Sequence, residues 1–147
     1  MTTVRKITVR NTKIPLELYV HIPFCVRKCQ YCDFLSGPSD QKTRDAYVDA
    51  LCREIRSTSQ KEAYEVVSVF IGGGTPSVLS GEQLFRIMNE IKQAFVLSDD
   101  AEITKAATPS TVSREQLKLC HAAGNTRISI GLPSTVQQAL DKLQNNN

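Results

Sequence analysis

The sequence predicts an α/β protein of consecutive strand–helix units, and three observations carry that reading. Short apolar or β-branched runs recur along the chain, a turn rich in Gly, Pro or Ser follows each, and each turn opens a stretch with apolar residues at helical spacing. Strict alternation of this kind gives parallel strands joined by right-handed crossovers, either as an open sheet or as an arc of a barrel. In both arrangements the chemistry gathers at the carboxyl ends of the strands.

The first strand is Leu18-Tyr19-Val20-His21-Ile22; residues 1–17 read as an N-terminal extension, with Val4, Ile7 and Val9 offering an edge strand, and residues 18–147 as the domain. After a Cys-rich loop and the turn-like Ser36-Gly37-Pro38-Ser39, a helix is expected from Thr43 to Ser57, with Ala46, Tyr47, Ala50, Leu51 and Ile55 on one stripe. Residues 66–71 form a β-branched run ended by three glycines, which fits a strand buried on both faces. Further strands are expected at 101–106 and 127–132. Ser80/Gln83, Ser113/Gln116 and Ser134/Gln137 each have the spacing of a capping box, and Gly124 stands where a glycine would stop the third helix. The strand ends thus place the Cys cluster, the glycine turn, Thr108-Pro109 and Gly131-Leu132-Pro133 on one rim.

The 147 residues and their 41% apolar content suffice for one core. The net charge of +3 comes from basic residues dispersed among acidic ones, so no nucleic-acid footprint is expected. The most apolar stretch, Val66 to Ile71, is far shorter than the ~20 residues of a membrane span. No secretory leader is visible at the N-terminus, and a cytoplasmic protein is expected.

Three of the five cysteines give the spacing C-x3-C-x2-C at Cys25, Cys29 and Cys32, directly after a strand. Three thiolates on a short loop can hold three corners of a 4Fe-4S cluster and leave one iron open. Zinc, with His21 completing a Cys3His set, and a group of reduced structural thiols are the competing readings. Cys52 and Cys120 read as core or surface thiols. Independently, Gly72-Gly73-Gly74 allows close approach of the backbone to a ligand, and Thr75 adds a hydroxyl; a tight turn without a ligand is the alternative.

The run Leu18-Tyr19-Val20-His21-Ile22-Pro23-Phe24-Cys25, the cysteine spacing, and Phe70-Ile71-Gly72-Gly73-Gly74-Thr75-Pro76-Ser77 together resemble the radical S-adenosylmethionine family of oxygen-independent coproporphyrinogen III oxidases. Cys32-Asp33-Phe34 is similar to its heme-chaperone branch, since the oxidases typically carry another Cys where Phe34 stands. The likeness runs from Leu18 to Leu143. It implies a partial TIM-type barrel, a 4Fe-4S cluster on Cys25, Cys29 and Cys32, and S-adenosylmethionine held at its methionyl end by Gly73, Gly74 and Thr75. It further implies Tyr19 near that cofactor, Tyr31 beside the adenine, a heme or porphyrin ligand, and an electron-donor protein.

The departures are equally specific. Family members usually read Glu-Ala-Asn-Pro-Gly where this chain has Ala106-Ala107-Thr108-Pro109-Ser110, so a carboxylate aimed at the cofactor is missing. Pro133 replaces a glutamine, and Asn125-Thr126 replaces an apolar–polar pair, which should weaken packing there. Family barrels also continue beyond the four units expected here. An incomplete barrel is therefore expected, with the edge at 127–132 open to self-association or to a complementing fragment.

Overall fold

The computed structural model describes residues 13–145 apart from Gln30, Gln60 and Glu62. The edge strand suggested by Val4, Ile7 and Val9 lies outside the described residues. Four parallel strands, β1 (Ile14–Ile22), β2 (Tyr64–Gly73), β3 (Leu97–Ala107) and β4 (Arg127–Ile130), form one sheet in sequence order. Helices α1 (Gln41–Ser57), α2 (Gly81–Ala94) and α3 (Arg114–Ala123) follow the first three strands, and α4 (Gln137–Asn145) follows β4. This is the repeated βα arrangement that the alternation of runs and turns predicts.

Strand alternation separates two faces. Val20, Ile22, Val69, Ile71 and Ile103 turn toward the helices and join Val48, Cys52, Ile87, Met88 and Ile91 in one buried core. On the opposite face Tyr19, Phe70, Thr104 and Arg127 lie side by side in register across all four strands. Tyr19 and Phe70 stack with centroids 6.1 Å apart and remain solvent-exposed. One face builds the core, and the other stays open above the carboxyl rim.

Helix starts follow side-chain chemistry. Asp40 caps α1 by accepting from the Thr43 N–H at 2.7 Å, and the Thr43 hydroxyl, then that N–H, hold its carboxyl below the usual aspartate value. Ser80 and Gln83 form the full reciprocal box on α2. Ser113 caps α3, but the Gln116 amide turns away to donate to the Ser77 carbonyl, so only half of that box forms. At Ser134/Gln137 the helix begins at Gln137, and the Ser134 hydroxyl accepts from the Val136 N–H in the turn before it.

Element lengths also differ from expectation. β1 begins at Ile14, so the boundary expected at 17/18 falls within a strand. β3 begins at Leu97 rather than 101, and β4 stops at Ile130, before Gly131-Leu132-Pro133. Register irregularities at Leu16/Glu17 against β2, and at Val66/Ser68 against β3, let β1 and β3 pair with β2 beyond their apolar runs.

Gly124 stops α3 in the left-handed region at φ 100°, and the Asn125 N–H returns to the Cys120 carbonyl. The residue after such a glycine usually makes an apolar contact with the last helical turn. Here it is Asn125, 5% exposed, and neither polar atom of its side-chain amide has a partner. Replacing Asn125 with Val removes two stranded polar groups; chemical denaturation should show a gain of about 1–3 kcal/mol.

Candidate metal and cofactor site

Residues 23–37 leave the end of β1 and return as a closed loop. The Cys25 N–H donates to the Gly37 carbonyl at 2.9 Å, the Gly37 N–H donates to the Pro23 carbonyl at 3.0 Å, and Phe24 and Gly37 form a parallel bridge. Cys25, Cys29 and Cys32 therefore all stand on one loop at the carboxyl rim, each half-buried and reduced. Cys52 and Cys120 are buried in α1 and α3, in the core role expected of them.

The glycine turn docks this loop. The Gly74 N–H donates to the Ile22 carbonyl at 2.8 Å and the Thr75 N–H to the Phe24 carbonyl at 2.7 Å. A Cβ on Gly74 would lie 2.6 Å from the Phe24 oxygen and 2.9 Å from Cys25 Sγ, and one on Gly73 would lie 2.8 Å from the Ile22 oxygen at a backbone φ of 110°. The close approach expected of these glycines is thus made first to the cysteine loop of the protein itself. The Thr75 hydroxyl donates to Cys25 Sγ at 3.7 Å.

His21 fastens the other side of the loop. Its Nε2 lies 3.1 Å from the Leu35 carbonyl, which can only accept, so Nε2 carries the proton and Nδ1 accepts from the Tyr19 hydroxyl at 3.3 Å. With both nitrogens engaged, His21 is a strap between β1 and the loop, and the zinc reading loses its fourth ligand. The Tyr47 hydroxyl donates to the His21 carbonyl at 2.7 Å. The Leu35 carbonyl that defines this role is remote from His21 in sequence.

Tyr31 stands beside Cys29 and Cys32; partial burial, then the Cys29 thiol as charge and hydrogen-bond partner, then Cys32, push its phenol above the ordinary value. Tyr19 lies on the open face opposite Phe70, and His21, two residues on, pairs with Gly72. Ala106 pairs with Ser129 on β4. Among the described residues no group of three His, Cys, Asp or Glu side chains is already gathered as a metal cage. What fits a cluster is the donor chemistry, three thiols on one short loop whose base is fixed by main-chain hydrogen bonds.

The sequence profile of the Radical SAM superfamily matches residues 19–146, and the chain belongs to that superfamily. Among curated relatives it is 40% identical over 131 residues to the heme chaperone HemW of Escherichia coli, covering 88% of this chain and 35% of that protein. It is 38% identical over 127 residues to HemW of Bacillus subtilis, covering 85% and 34%. The fold is similar to coproporphyrinogen III oxidase HemN of Escherichia coli, a radical SAM enzyme, with a TM-score of 0.82 and 30% identity over 92% of this chain and 32% of that one. The chain spans about a third of the length of these relatives. Among the described residues no helix is long and apolar enough to cross a membrane.

Gly74 gives a direct test of the docking geometry. Gly74→Ala should loosen the loop, with faster amide exchange at Cys25, Gly37 and Thr75 and a stability loss of about 1–3 kcal/mol. Gly37→Ala, whose Cβ would meet nothing within 4 Å, should leave both measurements nearly unchanged.

Proposed function

We propose that this chain binds a 4Fe-4S cluster through Cys25, Cys29 and Cys32 together with S-adenosylmethionine, and acts in porphyrin or heme metabolism. The observation that carries the reading is the docking of a three-cysteine loop onto a glycine turn at the carboxyl rim of a parallel sheet. When bound, such a cluster supplies the electron that breaks the sulfonium C–S bond of S-adenosylmethionine.

The protein's own groups have separable tasks. The closed base at Pro23, Cys25 and Gly37 fixes where the thiols start, and His21 limits movement of the loop at Leu35. The Gly74 and Thr75 N–H groups are already used by β1 and the loop. What Gly73, Gly74 and Thr75 offer the methionyl group is therefore carbonyl oxygen, which suits an ammonium, rather than N–H donors. Tyr19 contributes a ring on the open face whose hydroxyl proton is committed to His21, and Tyr31 an exposed ring on the loop for the adenine. Val26, Phe34 and Leu35, at 74, 67 and 83% exposure, put apolar surface on the same loop, which suits a porphyrin or heme ligand. That ligand class accords with the names of the relatives. An electron-donor protein at this rim, and a second chain against the β4 edge, belong to the same proposal.

Ala106 and Pro133 favour a second reading, a heme- or cluster-binding module without catalysis, because neither side chain can hydrogen-bond the nucleoside. Anaerobic assay for 5′-deoxyadenosine separates the two, since the module forms none.

Anaerobic reconstitution with iron and sulfide, followed by electron paramagnetic resonance with and without S-adenosylmethionine, tests the main reading. One cluster per chain is expected. Cys25→Ala, Cys29→Ala and Cys32→Ala should each abolish it, whereas Cys52→Ala and Cys120→Ala should not; equal loss from all five rejects the assignment.

The two departures should weaken the nucleoside end by roughly 5- to 150-fold in affinity, at about 0.5–1.5 kcal/mol per missing hydrogen bond. Ala106→Glu with Pro133→Gln should recover that factor in calorimetric titration with S-adenosylmethionine. No change in the double variant rejects these two roles.

A further inference from the structure

We infer that Thr75 is a positioning residue for the cluster, donating a hydrogen bond to the Cys25 sulfur and raising the cluster's reduction potential. This rests on the cluster reading above and gives Thr75 a task distinct from holding the methionyl group.

Three contacts fix the geometry. The Thr75 N–H is bound to the carbonyl of Phe24, the residue immediately before Cys25, and the neighbouring Gly74 N–H is bound to Ile22. Gly74 has no room for a Cβ against Cys25 Sγ, so the two backbones are in contact at this point. From that clamped position the Thr75 hydroxyl reaches Cys25 Sγ at 3.7 Å, a normal separation for an O–H donor on sulfur. Thr75 then leads into a 3-10 turn at Pro76–Val78, where the Val78 N–H donates to the Thr75 carbonyl at 2.9 Å. The residue is held on both sides by main-chain bonds, so its hydroxyl is aimed by the fold rather than by a ligand.

A donor on a ligating sulfur draws negative charge away from the cluster. Reduction adds one negative charge, so the bond favours the reduced form and moves the potential upward. Cys29 has the Tyr31 hydroxyl as a partner from within the loop itself. The Thr75 donor differs in coming from the glycine turn, outside the loop, where main-chain bonds hold it against Cys25.

The test is a potentiometric titration of the reconstituted cluster, followed by electron paramagnetic resonance without S-adenosylmethionine, for the parent chain, Thr75→Val and Thr75→Ser. The expected result is a full cluster in all three, a more negative potential in Thr75→Val, and a potential restored toward the parent in Thr75→Ser. An unchanged potential in Thr75→Val, with affinity for S-adenosylmethionine reduced, would return Thr75 to the cofactor-holding role and overturn the inference. Loss of the cluster in Thr75→Val while the parent loads would make Thr75 a residue that places the ligand, and overturns it too. A parent chain that takes up no iron and sulfide defeats the cluster reading itself, and the inference with it.

Discussion

The docking of the cysteine loop on the end of β2 is the contact on which the rest of the rim depends. Two main-chain hydrogen bonds, from Gly74 to Ile22 and from Thr75 to Phe24, continue the β1–β2 pairing past the last ladder position and into the loop. Because a continuing ladder brings backbones close, side chains on the turn must be absent, and the glycines meet that requirement. Cys25 is consequently held by the sheet, whereas Cys29 and Cys32 stand farther out on the loop. The three thiols thus differ in how rigidly the fold holds them, a difference that their spacing in sequence does not convey.

The sheet divides the labour of the β1–β2 end and the β3–β4 end unequally. At the first, His21, Tyr47, Gly74 and Thr75 hydrogen-bond one another, β1 or the loop. At the second, Ala106 brings no polar atom to the rim, Asn125 is buried without partners, and Lys105 is 2% exposed between Ile71 and Ile128. Burying a cationic side chain and an unpaired amide is costly. The β3–β4 half therefore contributes less to stability than its apolar content suggests, while the loop-bearing half is anchored by both packing and hydrogen bonds.

Much of this was legible from local pattern. Alternating runs and turns gave four βα units, the spacing of Cys25, Cys29 and Cys32 put them on one loop, and Gly124 marked the end of α3 because a left-handed stop leaves few alternatives to glycine. What escaped were relations between residues far apart in sequence. The extra length of β1 and β3 depends on pairing with β2 across irregular register, which no apolar run reports. Ser134 also bonds within its own turn, to the Val136 N–H, one of the alternatives a serine side chain always offers the backbone. For His21 and Thr75 the sequence shows the chemistry but not the Leu35 carbonyl and the Cys25 sulfur that they bind.

That last pair bears on how such a site is built. A ligand-binding turn and a metal-binding loop, read separately, each suggest groups pointing outward to their own cofactor. In this chain the turn spends the Gly74 N–H on the end of β1 and the Thr75 N–H and hydroxyl on the loop, so the glycine turn acts first as the scaffold of the cysteine loop. Binding of a second group at the same turn must then rely on the carbonyls and on side chains from other strands. Ala106 on β3 and Pro133 beyond the end of β4 make none of the turn's hydrogen bonds to β1 and the loop, so a change at either leaves the thiols and their support intact.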